Sequence, residues 1–315
     1  MNKLAVIALG GNALLRDNQS GTIDEQEDNA FRTMENLVFL LNEGYNLVIT
    51  HGNGPQVGNS LLRNAAGEKE YELPQMPVDV CVAGTQGEIG YMIERMLRNV
   101  LAKHSIKREI VSLISLVLVD RNDPAFSNPT KRIGKSYTAS QAEVLQNEKN
   151  WDFRPDPKHK ELLRRVVPSP APLAIMNRNV IENLARSGTI VITAGGGGIP
   201  VYFDEEQTVR PAEVVIDKDL ASSLLASQIK ADELYILTDV PYVYLNYNTP
   251  QQEIAEFLTA KECRQYLQAG MFGEGSMAPK IQAAINFVEN GGDKSVITEA
   301  TQLENKKYGS RITLK

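Results

Sequence analysis

Residues 4–12 read Leu4-Ala5-Val6-Ile7-Ala8-Leu9-Gly10-Gly11-Asn12, an apolar run that stops at two glycines. Two further runs end in the same way: Leu47 to Thr50 stops at His51-Gly52-Asn53-Gly54, and Thr189 to Ala194 stops at Gly195 to Gly198. Such short aliphatic and β-branched runs are typical of buried strands. Because glycine reaches positive φ cheaply and lacks a Cβ atom, a glycine loop can bring backbone N–H groups close to an anion. We therefore predict three buried strands that each end at an anion-binding loop.

Amphipathic stretches alternate with these strands. Apolar residues recur every three or four positions in Glu25 to Asn42 and in Gly87 to Lys103, as in helices that cover a sheet. The alternation predicts βαβ units and an α/β fold around a parallel sheet. Ligands of such sheets bind beyond the carboxyl ends of the strands, which is where all three glycine loops are expected.

The segment from Asp120 to Val167 has a different composition. Prolines, polar residues and turn formers crowd Asp123-Pro124, Asn128-Pro129 and Trp151 to Pro157, so we predict an inserted subdomain or lid. The alternation resumes with predicted strands at Thr189, Val214 and Tyr235 and predicted helices at Asn179 to Arg186, Ala221 to Gln228 and Pro279 to Glu289.

The composition narrows the class of protein. A chain of 315 residues can form one large α/β unit or two lobes that share a sheet. The absence of an eighteen-residue apolar stretch predicts no membrane partner, and the missing secretory signal and the spacing of Cys81 and Cys263 favour a cytoplasmic protein. A net charge of −6 argues against nucleic acid as a partner. Positive charge for an anionic substrate must therefore come from individual lysines.

Two lysines stand at predicted helix starts. Lys218 lies between Asp217 and Asp219, where an aspartate can either cap the helix or hold the lysine beside a phosphoryl group. Lys280 follows Pro279 in the first turn of a helix, a position that attracts phosphate and where lysine is uncommon. Ordinary turns and a flexible linker remain the alternatives for the glycine loops, and His51 either contacts an anion or only packs.

Taken together and in this order, the segments resemble the carbamate kinase family of the amino acid kinase superfamily. The matching segments are Ala8 to Ala13, Thr50 to Gly58, Asp123 to Phe126, Asn128 to Lys131, Arg165 to Pro170, Ala194 to Val201, Val215 to Ser222, Leu237 to Val240 and Gly275 to Lys280. The resemblance implies one amino acid kinase domain over residues 1–315, a three-layer αβα sandwich with a protruding subdomain at 120–167, and a homodimer. It also implies reversible phosphoryl transfer between ATP and carbamate with Mg²⁺, which forms or consumes carbamoyl phosphate.

The resemblance assigns roles to residues in this chain. The expected catalytic residues are Lys131, Lys218, Asp219 and Lys280. The expected contacts of carbamate and the transferred phosphate are Gly10, Gly11, Asn12, Gly52 and Asn53, to which the third glycine loop adds Gly196 and Gly197. The expected nucleotide contacts are Thr238, Asp239, Gly275, Ser276 and Met277. No protein ligand is assigned to Mg²⁺, which we expect on the nucleotide phosphates and water.

The chain departs from the family pattern after Lys131. Arg132, Lys135 and Ser136 make the predicted lid more basic than usual, and Ala278 replaces a common glycine. Two alternatives therefore stand beside carbamate phosphorylation: a kinase of the same fold that acts on another small carboxylate, and a nucleotide-sensing module without turnover. Ala8, where many superfamily members carry lysine, favours carbamate kinases over acetylglutamate or aspartate kinases.

Overall fold

The computed structural model describes residues 2–16, 19–156, 159–273, 276–305 and 308–315. Within them the strands are β1 (Leu4–Leu9), β2 (Asn46–His51), β3 (Ile110–Ser112), β4 (Leu116–Val119), β5 (Lys131–Tyr137), β6 (Asp152–Pro155), β7 (Leu163–Val167), β8 (Pro172–Ile175), β9 (Ile190–Ile192), β10 (Ile199–Phe203), β11 (Val209–Pro211), β12 (Glu233–Thr238), β13 (Val243–Leu245), β14 (Glu253–Ala255), β15 (Phe257–Thr259), β16 (Lys294–Glu299) and β17 (Ser310–Thr313). The helices are α1 (Ile23–Asn42), α2 (Gly54–Tyr71), α3 (Val78–Lys103), α4 (Ala139–Lys149), α5 (Arg178–Arg186), α6 (Lys218–Gln228), α7 (Ala260–Gln268) and α8 (Met277–Glu289).

The main sheet has eight strands in the order β15-β17-β16-β12-β1-β2-β9-β3. Its neighbours pair in parallel except β16 and β17, which pair antiparallel. The predicted mainly parallel sheet is therefore confirmed. Because β12, β1, β2 and β9 are adjacent and parallel, the loops that follow them meet at one edge of the sheet.

Helices cover both faces of this sheet. Along β1, Leu4, Val6 and Ala8 pack into one apolar cluster with residues of α5, α6 and α8. The intervening residues Ala5 and Ile7 pack into a second cluster with α1 and α3. Because side chains alternate along a strand, a continuous apolar run is what a strand buried on both faces requires. The predicted three-layer αβα sandwich is confirmed.

Residues 131–167 form a separate three-stranded antiparallel sheet in the order β5-β7-β6, with α4 between β5 and β6. We call β5 to β7 with α4 the small sheet segment. Two other small sheets, β11-β10-β4-β8 and β13-β14, complete the strands of the described residues. None of the helices in the described ranges combines the length and apolarity needed to cross a bilayer.

The predicted strand at Val214 is wrong. Val214 to Ile216 are buried, but they form no strand, and the amide of Val215 donates to the carbonyl of Pro168. Their apolar character reflects burial in an extended loop that leads into α6. This helix begins three residues earlier than predicted, at Lys218, because the Asp217 carboxylate caps it.

Candidate active site

A cleft of about 520 Å³ opens at the carboxyl edge of the main sheet, between the glycine loops and the small sheet segment. Its floor comes from the loops after β1, β2 and β9, and its walls come from the starts of α2, α6 and α8. The side chains that line it include six cations, Lys131, Arg132, Lys135, Arg164, Lys218 and Lys280, and two carboxylates, Asp217 and Asp219. In a chain whose net charge is −6, this is a local concentration of positive charge.

Asp219 holds two lysines together at the floor of the cleft. Its Oδ1 lies 2.5 Å from Lys218 Nζ and its Oδ2 lies 3.1 Å from Lys280 Nζ. Lys280 Nζ also donates to the carbonyl of Ser276 at 3.3 Å. Each carboxylate oxygen thus anchors one ammonium group, and the remaining N–H groups of both lysines are available to an anion.

Burial and charge set the protonation states of this cluster. Burial by itself would raise the pKa of Asp219, but the charges of Lys218 and Lys280 outweigh it and lower that pKa to about 2. The pKa of Lys218 is lowered from its ordinary value, mainly by burial and then by the charge of Lys280, while Asp219 opposes the shift. The carboxylate is therefore charged at neutral pH, and its charge opposes the effect of burial on the pKa of Lys218.

Asp217 joins the small sheet segment to α6. Its Oδ1 accepts from the amides of Asp219 and Leu220 and caps the helix, while its Oδ2 accepts from Lys131 Nζ at 2.9 Å. In the Asp-Lys-Asp motif Asp217 caps the helix and Asp219 holds Lys218, while the role of that lysine beside a phosphoryl group stays a prediction. Sequence reasoning missed Asp217 as the partner of Lys131, because the two residues lie 86 positions apart.

The glycine loops pack closely against one another. A Cβ atom at Gly195 would lie 2.3 Å from the His51 ring, and one at Gly196, whose φ is +65°, would lie 2.2 Å from Asn53 Nδ2. Asn53 Nδ2 itself donates to Thr85 Oγ1. These glycines are therefore required for close approach between the loops after β2 and β9.

His51 belongs to the packing rather than to the cleft lining. It is buried, and its Nδ1 lies 3.0 Å from the carbonyl of Gly52. Burial lowers the pKa of His51 to about 4, so the ring is neutral at pH 7. A neutral imidazole engaged with its own loop supplies neither positive charge nor a free base to an anion.

The predicted phosphate contacts divide into two groups. Gly11, Gly52, Asn53 and Gly196 line the cleft, whereas Gly10 and Gly197 do not. Gly10 abuts the carbonyl of Leu237, and Gly197 abuts Ile216. The side chain of Asn12 lies outside the described part of the structure. Gly10 and Gly197 lie outside the cleft lining, and the lack of a Cβ atom at each lets neighbouring residues pack closely against them.

The amides of these loops are not equally available. The Gly52 N–H already donates to the carbonyl of Leu9. Gly11 and Asn12 are the first residues of a 3-10 turn, whose leading N–H groups have no partner inside the turn. Gly52 instead leaves room for a neighbour, since a Cβ atom there would lie 3.2 Å from Lys218 Cδ.

A second pocket of about 270 Å³ adjoins the cleft and shares Ser276 and Lys280 with it. The predicted nucleotide contacts Thr238, Asp239 and Met277 line it as well. Gly275, predicted for the same role, lies outside the described residues. Val240, in the segment that the resemblance places beside the nucleotide, lines the pocket too, but sequence reasoning missed the rest of the apolar and aromatic wall, which consists of Tyr244, Tyr247, Met271 and Phe272. The aromatic side chains after β12 were the available signal.

In the described ranges, no group of three or more His, Cys, Asp or Glu side chains has a metal-binding arrangement. In the cleft, both oxygens of Asp219 are engaged with lysines, and those of Asp217 are engaged with Lys131 and the helix cap. A metal ion at this site would therefore depend mainly on oxygens that a ligand brings.

Comparison with known proteins places the chain among relatives of matching length. Residues 3–299 match the model of the amino acid kinase family. The carbamate kinase of Pyrococcus horikoshii is 44% identical, over 99% of this chain and all of the relative, and that of Thermococcus kodakarensis is 45% identical, over 98% and 99%. The structure of carbamate kinase from Giardia lamblia bound to AMP-PNP superposes with a TM-score of 0.91 at 39% identity, over 99% of this chain and 98% of that one.

The fold agrees with these similarities, which extend over 98–99% of the chain. The chain belongs to the amino acid kinase family and, within it, to the carbamate kinases.

Proposed function

We propose that this protein transfers a phosphoryl group reversibly between ATP and carbamate, and so forms or consumes carbamoyl phosphate. The observation that carries the proposal is the position of Lys280 at the junction of the two pockets, tied through Asp219 to Lys218 in the larger one. A phosphoryl group passing from one pocket to the other meets both ammonium groups. The close similarity to carbamate kinases supports this choice of substrate over other small carboxylates.

The reaction requires the protein to position the substrates and neutralise their charge more than to form covalent bonds with them. A carbamate oxygen attacks the γ-phosphorus in line, and negative charge spreads over the transferred phosphoryl oxygens. Lys218 and Lys280 neutralise that charge, and Asp219 fixes their separation before the substrate arrives. The amides at Gly11 and Asn12 add donors from the floor of the cleft. Because these groups are already placed, little reorganisation is needed in the transition state.

The nucleotide binds in the smaller pocket. Its aromatic and apolar wall, which includes Tyr244 and Phe272, suits a base, and Lys280 lies where the phosphates enter the cleft. Mg²⁺ bound with the nucleotide would neutralise phosphate charge there. The cleft carboxylates are engaged, so we infer that phosphate oxygens and water hold the ion.

The segment 120–167 acts as a lid in this proposal. Lys131 on β5 reaches the cleft from the small sheet segment and is held by Asp217 on the body. An incoming anion can compete with Asp217 for this ammonium group, which would couple substrate binding to the position of the segment. Closure over the substrate excludes water, which protects the phosphoryl group from hydrolysis.

We also expect the protein to form a homodimer. Val80 and Tyr91, eleven residues apart, lie on one face of α3 and are exposed, and Ile114, Met176 and Val180 are exposed apolar residues nearby in the fold. A second copy of the chain would cover them. Tyr91→Lys should then convert a dimer to a monomer in light scattering, and a monomeric wild-type protein would contradict this expectation.

A coupled assay tests the proposed activity. ADP and carbamoyl phosphate should yield ATP, and acetyl phosphate or acetylglutamyl phosphate should yield much less. Comparable rates with another acyl phosphate would favour the alternative acceptor. Nucleotide binding in a calorimeter without phosphoryl transfer at saturating carbamoyl phosphate would support the sensing module and contradict the proposal.

A further inference from the structure

Three of the six cleft cations are not part of the lysine clusters on Asp217 and Asp219. Arg132, Lys135 and Arg164 belong to β5 and β7 of the small sheet segment and line the outer part of the same cleft. The Arg164 side chain is held by two contacts: its Nε donates to the carbonyl of Gly134, and its Nη1 lies 3.9 Å from an Asp156 carboxylate oxygen. The other two cations of this group are Arg132 and Lys135.

Neither Arg132 nor Lys135 has a carboxylate partner in the described ranges of the chain. Arg132 Nε donates to the carbonyl of Pro155 at 3.1 Å, and Lys135 Nζ lies 5.1 Å from the centroid of the Tyr137 ring. Both side chains are exposed. Their charges are therefore not offset locally, in contrast to those of Lys131, Lys218 and Lys280.

A strand irregularity lies beside these residues. The register of β5 against β7 shifts between Ile133 and Ser136, and Gly134 within the bulge has a φ of +68°. In a regular strand, neighbouring side chains point to opposite faces. With the bulge, all five residues from Lys131 to Lys135 line the cleft. The cleft thus receives the charges of Lys131, Arg132 and Lys135 from one strand.

The two pockets differ in their share of this charge. Among the described residues, the smaller pocket is lined by Asp239 and Lys280 as its charged groups and otherwise by polar, aromatic and apolar residues. Arg132 and Lys135 contribute only to the larger cleft. Their field therefore acts on the substrate that enters beneath the small sheet segment rather than on the nucleotide.

We propose that Arg132 and Lys135 form an outer phosphate subsite that captures carbamoyl phosphate before it reaches Lys218 and Lys280. This inference rests on the proposed function, because it names the substrate that enters the larger cleft. Carbamoyl phosphate is a small dianion at neutral pH, and unpaired cations at the mouth of a cleft raise the local concentration and the association rate of such an anion. Once the phosphate moves inward, the paired lysines take it over.

The test compares Arg132→Gln, Lys135→Gln and the double variant in ATP synthesis from ADP and carbamoyl phosphate. The KM for carbamoyl phosphate should rise about fivefold in the double variant, while kcat and the KM for ADP stay within twofold of wild type. The decline of kcat/KM with added salt should become shallower, because exposed charges are screened within about 8 Å at physiological ionic strength.

Two controls separate charge from structure. The double variant Arg132→Lys with Lys135→Arg keeps both charges and should keep the wild-type KM. Lys107→Gln removes one positive charge before β3, at the opposite edge of the sheet, and should change nothing. An unchanged KM for carbamoyl phosphate, or an equal rise in the KM for ADP, would overturn the subsite.

A binding measurement keeps the subsite testable without turnover. Phosphonoacetamide replaces the bridging oxygen of carbamoyl phosphate by a methylene group and cannot transfer its phosphoryl group. Calorimetry should show about fivefold weaker binding to the double Gln variant than to wild type. Equal affinities would reject the subsite. Wild-type binding without ATP synthesis from carbamoyl phosphate would instead reject the proposed function.

Discussion

The two edges of the main sheet each bury one carboxylate between lysines. At the carboxyl edge, Asp219 contacts Lys218 and Lys280, whose side chains are 18% and 15% exposed. At the amino edge, Glu233 contacts Lys3 and Lys294, whose side chains are 52% and 33% exposed. The composition of the two clusters is similar, and their surroundings differ.

Glu233 is saturated by protein groups. In addition to the lysines, its oxygens accept from the hydroxyls of Tyr45 at 3.0 Å and Tyr235 at 2.6 Å. The pKa of Glu233 is lowered: burial would raise it, but the hydrogen bonds and the lysine charges outweigh burial. The adjoining cavity of about 190 Å³ is much smaller than the cleft of about 520 Å³ at the carboxyl edge. This cluster holds the starts of β1, β12 and β16 together.

Among the described residues, by contrast, the Asp219 carboxylate contacts only the two lysines, and these face an open cleft. We infer that a buried carboxylate with lysines becomes a functional cluster when the lysines keep donors free toward a cavity. It becomes a structural cluster when further protein donors complete the carboxylate. Three substitutions test this distinction, in order of decreasing expected effect, and a fourth tests the contact between the body and the small sheet segment.

Removing a lysine should have very different effects at the two edges. Lys218→Ala should lower kcat for ATP synthesis about a hundredfold or more, because it removes a charge that stabilises the transition state. Lys294→Ala, the matched change at the amino edge, should leave kcat within twofold. A Lys218→Ala enzyme with the wild-type kcat would abolish the distinction between the clusters.

Neutralising Asp219 should change the pH dependence of the reaction. Since Asp219 raises the pKa of Lys218, Asp219→Asn should lower that pKa further and move the alkaline fall of kcat to lower pH. The loss should be about tenfold at neutral pH and should grow as pH rises. A kcat profile from pH 6 to 10 checks the sign, and an alkaline limb that stays in place would argue that Lys218 does not act as a cation.

Neutralising Glu233 should affect stability and leave catalysis intact. Glu233→Gln should cost about 2 kcal/mol of unfolding free energy, less than for a fully enclosed pair because its lysines reach solvent. A carboxylate whose pKa is lowered in the folded state stabilises the protein at pH values above the pKa of the unfolded state. This stabilisation is lost on acidification. In urea unfolding, the difference in unfolding free energy between wild type and variant should therefore become smaller as pH falls toward 4 and below. A difference in unfolding free energy that does not change with pH would show that the charge of Glu233 is not the source of the stabilisation.

The smallest effect concerns the contact between the body and the small sheet segment. A Cβ atom at Gly58 on α2 would lie 3.2 Å from Gly134 Cα. Gly58→Ala should displace the segment slightly and raise the KM for carbamoyl phosphate about twofold, with little change in melting temperature. Gly67→Ala, on the same helix beside a flexible Leu73 side chain, is the matched control. Equal KM values for the two variants would show that the close contact does not set the position of the segment.

Much of the fold followed from local sequence. The strand β1 has the predicted bounds, and the three glycine loops lie at one edge as expected, because uninterrupted apolar runs that stop at glycine give a clear signal. The helix α2 gave a weak signal, since its buried residues are confined to Gln56, Val57 and Gly58 at its start. The apolar run from Val214 to Ile216 gave a misleading signal for a strand, because burial alone does not distinguish a strand from an extended loop.

The site was predictable where a motif was compact. Lys218 and Asp219 are adjacent in the chain, and Lys280 stands in a recognisable helix start. The ion pair between Lys131 and Asp217 and the register shift of β5 against β7 depend on contacts between distant segments. No local pattern records such contacts, so they became visible only in the folded chain.

The central claim is that Lys218 and Lys280 meet on one transferred phosphoryl group. A crystal structure of the protein with ADP, Mg²⁺, carbamate and aluminium fluoride tests it most directly, since aluminium fluoride mimics that group in flight. The account predicts fluoride atoms within about 3 Å of both Nζ atoms, between the two pockets. Aluminium fluoride bound beside ADP with either lysine turned away from it would contradict the claim.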